Sequence, residues 1–570
     1  MFFDELLQQI GEFGRYQRRV YFLACMMVIP TAWHIAIQVF TAGYTDFWCK
    51  IPDWEDTECT KWNLTDTECE EAKRDAGIPE VPGATPPFQQ CYRYNVSGVD
   101  FYPGLNSSAE FDETLKCDAG WEYDTTQYKT TIITDFDLVC SRSTYPDLAQ
   151  SIFFTGVLTG SFIFGGLADR IGRHPALFMC VAIQTFLGIG ISFAPNFPAY
   201  IVLRGILGIG NHMVLVLAFV MGTEFVGPSK RVYAGVVITF FLSAGNMSLA
   251  LIALLIRKWR ILQFVISAPA FLSLCLYPFI PESVRWLISQ GKHKQARELI
   301  HKVAEVNKVE IPDELLSTER MQEDEEPEST ILDIFRYPQT RIRMIILVWV
   351  AMVNSFLYYG LTLSAGDLGE LDYVAFFVSG AVEIPAYFFC LFFLDRWGRR
   401  PIQAMFFFIA GIACLVTTFL PIGTANTVVS MIGKLGASGA LCVSPFYTLE
   451  LLPTPVRTAG MGLSTMFLGL GSILAPVFFV LGEYWEPLPM VIFGVGGIFA
   501  GFPTLLLPET MGENLPETME EGEQFGIKKK DEKELNGILK VDANANMETT
   551  KLPNDKEESS PINGIETDQV

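Results

Sequence analysis

Acidic and basic side chains recur in two sets that are separated by a fixed interval of 226 positions. The members of the first set and then of the second are Asp169, Arg170, Arg173, Glu224 and Arg231, followed by Asp395, Arg396, Arg399, Glu450 and Arg457. Arginine and carboxylate groups form charge-assisted hydrogen bonds with one another and with helix ends. We therefore interpret each set as a gating cluster that holds one side of the protein closed, the alternative being that the basic residues only reflect membrane topology.

Glu383 is an acidic residue inside an apolar segment, twelve residues before Asp395. At ~1.5 Å per helical residue it lies ~18 Å from the charged end, near the middle of a membrane. An ionisable group at that depth is costly and indicates function, so we expect Glu383 to bind the positive charge of a substrate. The alternative is a buried ion pair with Lys434 or Arg204, which lie inside other apolar segments.

Aromatic and histidine side chains supply further candidates for a binding site. Phe356, Tyr358 and Tyr359 form an aromatic group that could hold a cation against its π-faces, or could simply pack. His34 and His212 lie in two other apolar segments, where either could relay protons or be a hydrogen-bonded core histidine. No nucleophile elbow, Gly-rich phosphate loop or zinc motif occurs, so the sequence predicts neither an enzyme nor a bound cofactor or metal.

The elements that must position these residues are apolar segments. Half of the 570 residues are hydrophobic and 45 are Phe, which is too apolar for a soluble protein of this length. Twelve segments are long enough to cross a bilayer, at about residues 20–43, 148–168, 175–194, 199–226, 232–256, 262–280, 343–364, 372–394, 401–420, 424–449, 459–482 and 488–507. Twelve segments and a repeated charge pattern predict an all-α membrane protein of two six-helix bundles.

The predicted organisation follows from these segments. It comprises a cytoplasmic N-terminus (1–19), an N-terminal bundle (20–280) with a large extracellular loop (44–147), a cytoplasmic linker (281–342), a C-terminal bundle (343–507) and a cytoplasmic, largely disordered tail (508–570). Basic residues concentrate in the loops that this topology places in the cytoplasm, as the positive-inside rule requires. Arg257, Lys258 and Arg260 are an exception, because their loop is predicted to lie outside.

The extracellular loop is rich in cysteine and in glycosylation sequences. Its cysteines are Cys49, Cys59, Cys69, Cys91, Cys117 and Cys140, and its acceptor asparagines are Asn63, Asn95 and Asn106. Six clustered cysteines without metal-ligand spacing predict three disulfides, whose connectivity the sequence leaves open. Disulfides and N-glycosylation both indicate an oxidising compartment, so we expect a multi-pass plasma-membrane protein with both termini in the cytoplasm.

The net charge of −22 comes mainly from two polar segments. Residues 45–147 carry 21 acidic and 8 basic side chains, and residues 511–570 carry 15 and 7. This acidity solvates exposed segments and disfavours nucleic-acid binding. The expected partners are therefore a small organic ion and the lipid bilayer, while cytoplasmic partners of the tail stay open.

Three motifs resemble the organic cation/anion/carnitine transporter family, solute carrier family 22 of the major facilitator superfamily. They are Pro-Glu-Ser-Val-Arg-Trp-Leu at 281–287, Glu-Leu-Leu-Pro-Thr-Pro-Val-Arg at 450–457, and the doubled Pro-Glu-Thr at 508–510 and 516–518. The resemblance spans residues 10–520 and includes the large Cys-rich first loop. It implies that Glu383 is a substrate-site acid and that Tyr358 is a cavity aromatic.

The sequence departs from the family pattern at three positions, one of which is Leu391 in the second charged loop, where the first loop has Gly165. Gly469 stands where cation carriers have Asp and anion or carnitine carriers have Arg, and Leu215 stands where cation carriers have Trp. Because Glu383 is retained, the resemblance implies transport of organic cations or zwitterions, such as carnitine-like compounds, by alternating access. The alternatives are an organic anion transporter of the same family, a sugar carrier of the same fold, and a receptor or adhesion protein that uses the Cys-rich loop.

Overall fold

A computed structural model describes residues 2–54, 62, 65–81, 86–103, 105, 111, 113–310, 331–367, 372–421, 423–513 and 515–526. Within these ranges, eleven helices are long and apolar enough to cross a membrane. A shorter apolar helix, Trp259–Leu274, occupies the place of the sixth predicted segment. It ends before the predicted boundary at 280 and is followed by a 3-10 turn, Tyr277–Phe279, which contains a proline that lacks a backbone donor.

The helices of the N-terminal half begin with α1 (Phe2–Ile10), α2 (Arg15–Ala36) and α3 (Gln38–Thr41). After the extracellular insert, which holds α4 (Asp66–Gly77) and α5 (Ile132–Phe136), come α6 (Tyr145–Ile171), α7 (Arg173–Ile191), α8 (Phe197–Phe225), α9 (Arg231–Leu255) and α10 (Trp259–Leu274). The linker forms α11 (Val284–Ser289) and α12 (His293–Asn307).

The C-terminal half is built in the same way. Its helices are α13 (Ile331–Arg336), α14 (Pro338–Leu363), α15 (Asp372–Trp397), α16 (Arg399–Thr417), α17 (Thr424–Leu451), α18 (Thr454–Val480), α19 (Leu488–Leu506) and α20 (Met519–Gln524). Between the halves, α9 packs on α15 and α6 packs on α18. Glycines allow close helix contacts, since a Cβ at Gly497 of α19 would lie 2.9 Å from the Gly411 Cα of α16.

The insert between α3 and α6 has its own short strands and disulfides. Two antiparallel pairs, β1 (Phe47–Cys49) with β4 (Trp121–Tyr123) and β2 (Tyr92–Tyr94) with β3 (Thr114–Lys116), form its sheets. Disulfides join Cys49 to Cys117 and Cys91 to Cys140, as clustered cysteines predict. Cys69 is also disulfide-bonded, while Cys59 lies outside the described residues. A hydrogen bond from Arg93 holds the pKa of Asp118 below its usual range.

Only one of the three predicted glycosylation sites falls in the described part of the chain. Asn95 is half-exposed, and its side-chain nitrogen donates to Glu113 at 3.0 Å. Asn63 and Asn106 lie outside the described residues. The occupancy of all three sites therefore stays a prediction.

The exception to the positive-inside rule has a structural cause. Arg257 donates to the Thr126 carbonyl at 3.0 Å, and Arg260 pairs with Asp135 at 3.1 Å. Arg260 also donates to the carbonyls of Ser192 and Ala194, at the outer end of α7. These basic side chains attach the insert between α3 and α6 to the N-terminal half, which gives them partners in a loop that the sequence predicts to lie outside.

The N-terminal segment before the first membrane helix is folded and packs against the linker helix α12. Leu6, Leu7 and Ile10 of α1 are buried in one apolar cluster with Ile300 of α12. Asn307, at the end of α12, donates to the Ile10 carbonyl and accepts from the backbone of α2. The first membrane helix begins at Arg15, earlier than the predicted boundary at residue 20, so the cytoplasmic arginines form its first turns.

The first part of the C-terminal tail is also folded, which corrects the prediction of disorder for residues up to 526. Glu523 of α20 accepts hydrogen bonds from the Gln339 and Thr340 backbone at the start of α14. Arg343 donates to the carbonyls of Gly522 and Phe525 at 2.5 and 2.6 Å. A helix start needs acceptors for its unpaired N–H groups, and the tail supplies them. Residues 527–570 lie outside the described part.

Candidate functional site

Glu383 is fully buried in α15 and forms an ion pair with Lys434 of α17. The Glu383 Oε1 and Lys434 Nζ atoms are 3.1 Å apart. The Tyr387 hydroxyl, one turn further along α15, donates to Oε2 at 3.2 Å. The interpretation of Glu383 as a partner of Lys434 is therefore confirmed, whereas a pairing with Arg204 is wrong.

The ammonium group of Lys434 lies in a cage made by four kinds of group. Its Nζ is 3.5 Å from the centre of the Tyr358 ring and donates to the Tyr358 carbonyl at 3.3 Å. It also donates to the Thr362 hydroxyl. With Glu383 the cage contains a carboxylate, an aromatic face, a hydroxyl and a carbonyl. These groups together can bind a substituted ammonium ion.

Helical spacing brings the cage together. Tyr358 and Thr362 are one turn apart on α14, so both reach the same amine from one side. Glu383 and Tyr387 stand in the same relation on α15. At Gly380 the backbone of α15 approaches α9 closely, and Ser243 donates to its carbonyl at 2.6 Å. The cage therefore adjoins the interface between the two halves.

Some predicted site residues lie elsewhere. Phe356 packs against Phe478 and Phe493 in the interior of the C-terminal half, with ring centres 5.6 and 5.9 Å away. It is two positions from Tyr358, and two positions on a helix rotate a side chain by ~200°, to the opposite face. Tyr359 contacts Phe154 of the N-terminal half at 4.8 Å and packs edge-on against Tyr358 at 5.2 Å, so it borders the cage.

The two histidines are also outside the cage. His34 is fully buried in the N-terminal half, 3.5 Å from the Gln263 amide nitrogen. His212 is buried in α8. Arg204 donates to the His34 carbonyl and to Gln150, which explains why it does not reach Glu383. In the part of the chain that the structure describes, no group of three His, Cys, Asp or Glu side chains could hold a metal.

The structure adds residues that sequence reasoning missed. Tyr387 and Thr362 contact the ion pair directly, as given above. Asn354 is fully buried one turn before Tyr358, and neither of its amide atoms has a hydrogen-bond partner within the described ranges. The only available signal was a polar residue at helical spacing from a candidate aromatic. That signal is weak because many buried amides are structural.

The first gating set comes together at one end of the N-terminal half. Arg173 is 3.1 Å from Asp169 and 3.8 Å from Glu224. Gly172 separates α6 from α7 with a φ of 114°, a conformation that favours glycine. Glu282, just beyond α10, accepts from the backbone N–H groups of Arg173 and His174 at 3.0 and 3.2 Å. The carboxylate therefore caps α7.

The second set repeats this arrangement in the C-terminal half. Arg399 is 3.0 Å from Asp395 and 2.9 Å from Glu450. Gly398 has a φ of 92°, and Glu509 accepts from the backbone of Arg399 and Arg400 at 2.9 and 3.0 Å. Glu282 and Glu509 were missed as caps. The Pro-Glu-Ser and Pro-Glu-Thr sequences at 281–283 and 508–510 were the available signal.

The remaining members of the two sets lie outside the ion pairs formed by Arg173 and Arg399. Arg170 and Arg396 are exposed. Arg457 donates to the Leu452 carbonyl at 3.3 Å, and Arg231 begins α9. The ion pairs given above join helices within one half, so each set stabilises one end of its own bundle.

Removing one of the capping carboxylates should lower the stability of the protein. We expect Glu509→Ala to lower the stability of the purified protein by about 1 kcal/mol, since two N–H groups of α16 lose their acceptor and the helix dipole loses a negative charge. Thermal unfolding in detergent measures the effect, with the exposed Glu486→Ala as control. An unchanged midpoint for Glu509→Ala would show that water replaces the cap at no cost.

At the opposite end the two halves are in contact. The Tyr128 hydroxyl of the insert donates to Asp372 of α15 at 2.6 Å, and the Tyr373 hydroxyl donates to the Gln127 carbonyl at 2.9 Å. Phe40 of α3 stacks on Tyr373 with ring centres 5.5 Å apart. The outer ends are therefore closed over the buried ion pair.

Comparison with known proteins agrees with this architecture. The family described as sugar (and other) transporter matches residues 104–521. An organic cation transporter protein of Drosophila melanogaster is 37% identical, over 93% of this chain and 96% of that protein. The mouse solute carrier family 22 member 21 is 36% identical, over 91% and 93%. The human organic cation/carnitine transporter 2 is 34% identical over the same shares.

A solved structure shows the same fold. The xylose transporter XylE of E. coli, in a partially occluded inward open conformation, superposes with a TM-score of 0.58 at 16% identity. The match covers 88% of this chain and all of that chain, which establishes the two-bundle fold of the major facilitator superfamily. Together these matches show that the protein belongs to the sugar (and other) transporter family and, within it, to solute carrier family 22, and that it is a membrane transporter.

Proposed function

We propose that this transporter carries small organic cations or zwitterions across the plasma membrane, and that Glu383 binds their ammonium group. The observation that carries the proposal is the cage around Lys434, in which a protein ammonium already occupies a site of the required chemistry. Glu383 Oε1 lies 3.1 Å from the Lys434 ammonium, so a substrate ammonium would share the carboxylate with Lys434 or displace it.

The neutral Glu383–Lys434 pair favours a zwitterion over a simple cation. A cation on Glu383 would leave the buried charge of Lys434 uncompensated, which is costly in a low-dielectric interior. A zwitterion can place its ammonium on Glu383 and its carboxylate on Lys434, so that both charges stay paired. The names of the relatives, which include an organic cation/carnitine transporter, support the same substrate class.

Transport then requires two states that bind the substrate differently. The closed outer ends and the duplicated cytoplasmic clusters support alternating access, with Asp169, Arg173 and Glu224 stabilising one cytoplasmic end and their counterparts the other. Opening inward would weaken contacts between the cytoplasmic ends, while opening outward would break the contacts of Tyr128 and Tyr373. Both termini lie on the cytoplasmic side in this arrangement.

The test is uptake of three radiolabelled probes by cells that express the chain: tetraethylammonium, carnitine and benzoate. Cells without the chain give the background. We expect the largest uptake above background for carnitine, less for tetraethylammonium and none for benzoate. Uptake of benzoate alone would contradict the proposal and favour the organic anion alternative.

A further inference from the structure

Asp372 is a second acid on the helix that carries Glu383. Its carboxylate is half-buried at the outer end of α15 and accepts the Tyr128 hydroxyl at 2.6 Å. Within the described residues, no Lys or Arg side chain forms an ion pair with it. A partly buried carboxylate whose hydrogen-bond donors are neutral keeps a negative charge with which it can bind a cation.

The tyrosine that donates to Asp372 belongs to a cluster of aromatic rings. The rings of Tyr128 and Tyr373 are 5.5 Å apart, and Phe40 stacks on Tyr373 at the same separation. Phe376, one turn into α15, meets Phe40 at 5.1 Å. All four rings are buried while the two halves are in contact. Separation of the halves at this end would uncover Tyr373 and Phe376, and a carboxylate beside free π-faces is a chemical environment that holds alkylammonium ions.

Asp372 and Glu383 lie on the same face of α15. They are eleven residues apart, which is about three helical turns and ~16 Å along the axis. Between them, Phe376 contacts Phe40 and Gly380 accepts from Ser243, and both partners belong to the N-terminal half. The face that carries the two acids is thus the interface between the halves, where a substrate must pass.

Tyr128 is attached to the N-terminal half. On either side of it, the carbonyl of Thr126 and the backbone N–H of Lys129 are hydrogen-bonded to Arg257, in the loop between α9 and α10. When the outer ends of the halves separate, Tyr128 therefore moves away from Asp372 with the insert.

We propose that Asp372, with Tyr373 and Phe376, is an outer site for the ammonium group of the substrate on its way to Glu383. In the closed structure the Tyr128 hydroxyl donates a hydrogen bond to the Asp372 carboxylate, at the position where the substrate would bind. This inference rests on the proposed function, because it requires a substrate with a positive charge.

The variant Asp372→Asn separates a binding role from a closing role. The asparagine oxygen can still accept from Tyr128, so the contact between the halves persists while the negative charge is lost. We expect the KM for tetraethylammonium to rise about fivefold at low ionic strength, with little change in maximal rate, and to become less sensitive to salt. An unchanged KM and salt dependence would overturn the proposal.

A control and a second variant complete the test. Glu483 also accepts a hydrogen bond across the halves, from Ser143 at 2.8 Å, so Glu483→Gln should keep the wild-type KM. Tyr128→Phe removes the competing hydroxyl and keeps the ring, and it should lower the KM. A KM for Tyr128→Phe at or above the wild-type value would overturn the proposal even if Asp372→Asn failed to reach the surface.

The two proposals fail in different ways. If the wild-type chain takes up none of the charged probes, the proposed function itself is wrong. If uptake depends on Glu383 but Asp372→Asn keeps the wild-type KM, only the outer site is wrong.

Discussion

Glu383→Gln is expected to reduce uptake of carnitine and tetraethylammonium by about 30- to 100-fold. The amide keeps the shape of the side chain but cannot neutralise the ammonium group of a substrate or of Lys434, so less of this variant should also fold and reach the surface. Both probes carry quaternary ammonium groups without an N–H, so Glu383 attracts them by charge alone. Two unit charges about 5 Å apart attract by roughly 3 kcal/mol at an effective dielectric constant of ~20, desolvation offsets part of this, and each 1.4 kcal/mol corresponds to about a tenfold change. The initial rate of uptake, divided by the amount of protein at the cell surface, measures the effect.

The matched control for this variant is Glu483→Gln, the same chemical change at an exposed outer position. It should transport like the wild type. If Glu383→Gln keeps more than about half of the wild-type rate, Glu383 serves only as the partner of Lys434, and the substrate binds elsewhere.

Lys434→Met is expected to destabilise the protein by about 3–5 kcal/mol, because it leaves the charge of Glu383 buried without a partner. Only a small fraction of the protein should then fold and reach the surface. The double variant Glu383→Gln with Lys434→Met removes both charges, and neutral replacements of a buried pair are often tolerated. It should therefore recover folded protein but not uptake.

Thermal unfolding of the purified variants and their surface expression provide the comparison. Recovery in the double variant would show that the loss in Lys434→Met comes from the uncompensated carboxylate and not from a cavity. If Lys434→Met instead folds like the wild type and binds tetraethylammonium more tightly, the carboxylate is hydrated in the empty transporter, and Lys434 competes with the substrate.

The ion pair also gives a physical reason why the empty transporter tolerates an acid near the middle of the membrane. Lys434 supplies the compensating charge when no substrate is present, so the site need not be open to water. A ligand must then offer better contacts than the internal amine, which favours substrates that satisfy both charges over those that satisfy one.

The sequence alone determined the fold and the duplication. Apolar segments of membrane-spanning length are a local property, and a helix that crosses a bilayer must satisfy its own backbone hydrogen bonds, so hydropathy predicts each helix without its neighbours. The constant interval between Asp169 and Asp395 likewise located both cytoplasmic clusters, since a duplicated unit keeps its spacing. The polar composition of the tail predicts disorder, but its first part, up to residue 526, is folded. Hydrogen bonds of Glu523 and Arg343 attach that part to α14.

Only the tertiary structure decided which residues meet. The sequence did not distinguish Lys434 from Arg204 as the ion-pair partner of Glu383. The partner is determined by which helices pack together and by how each helix is rotated about its axis. The same rotation turned Phe356 away from Tyr358 and placed Asp372 in line with Glu383. The cap from Glu509 to Arg399 joins residues 110 positions apart, and such contacts leave no local pattern in the chain.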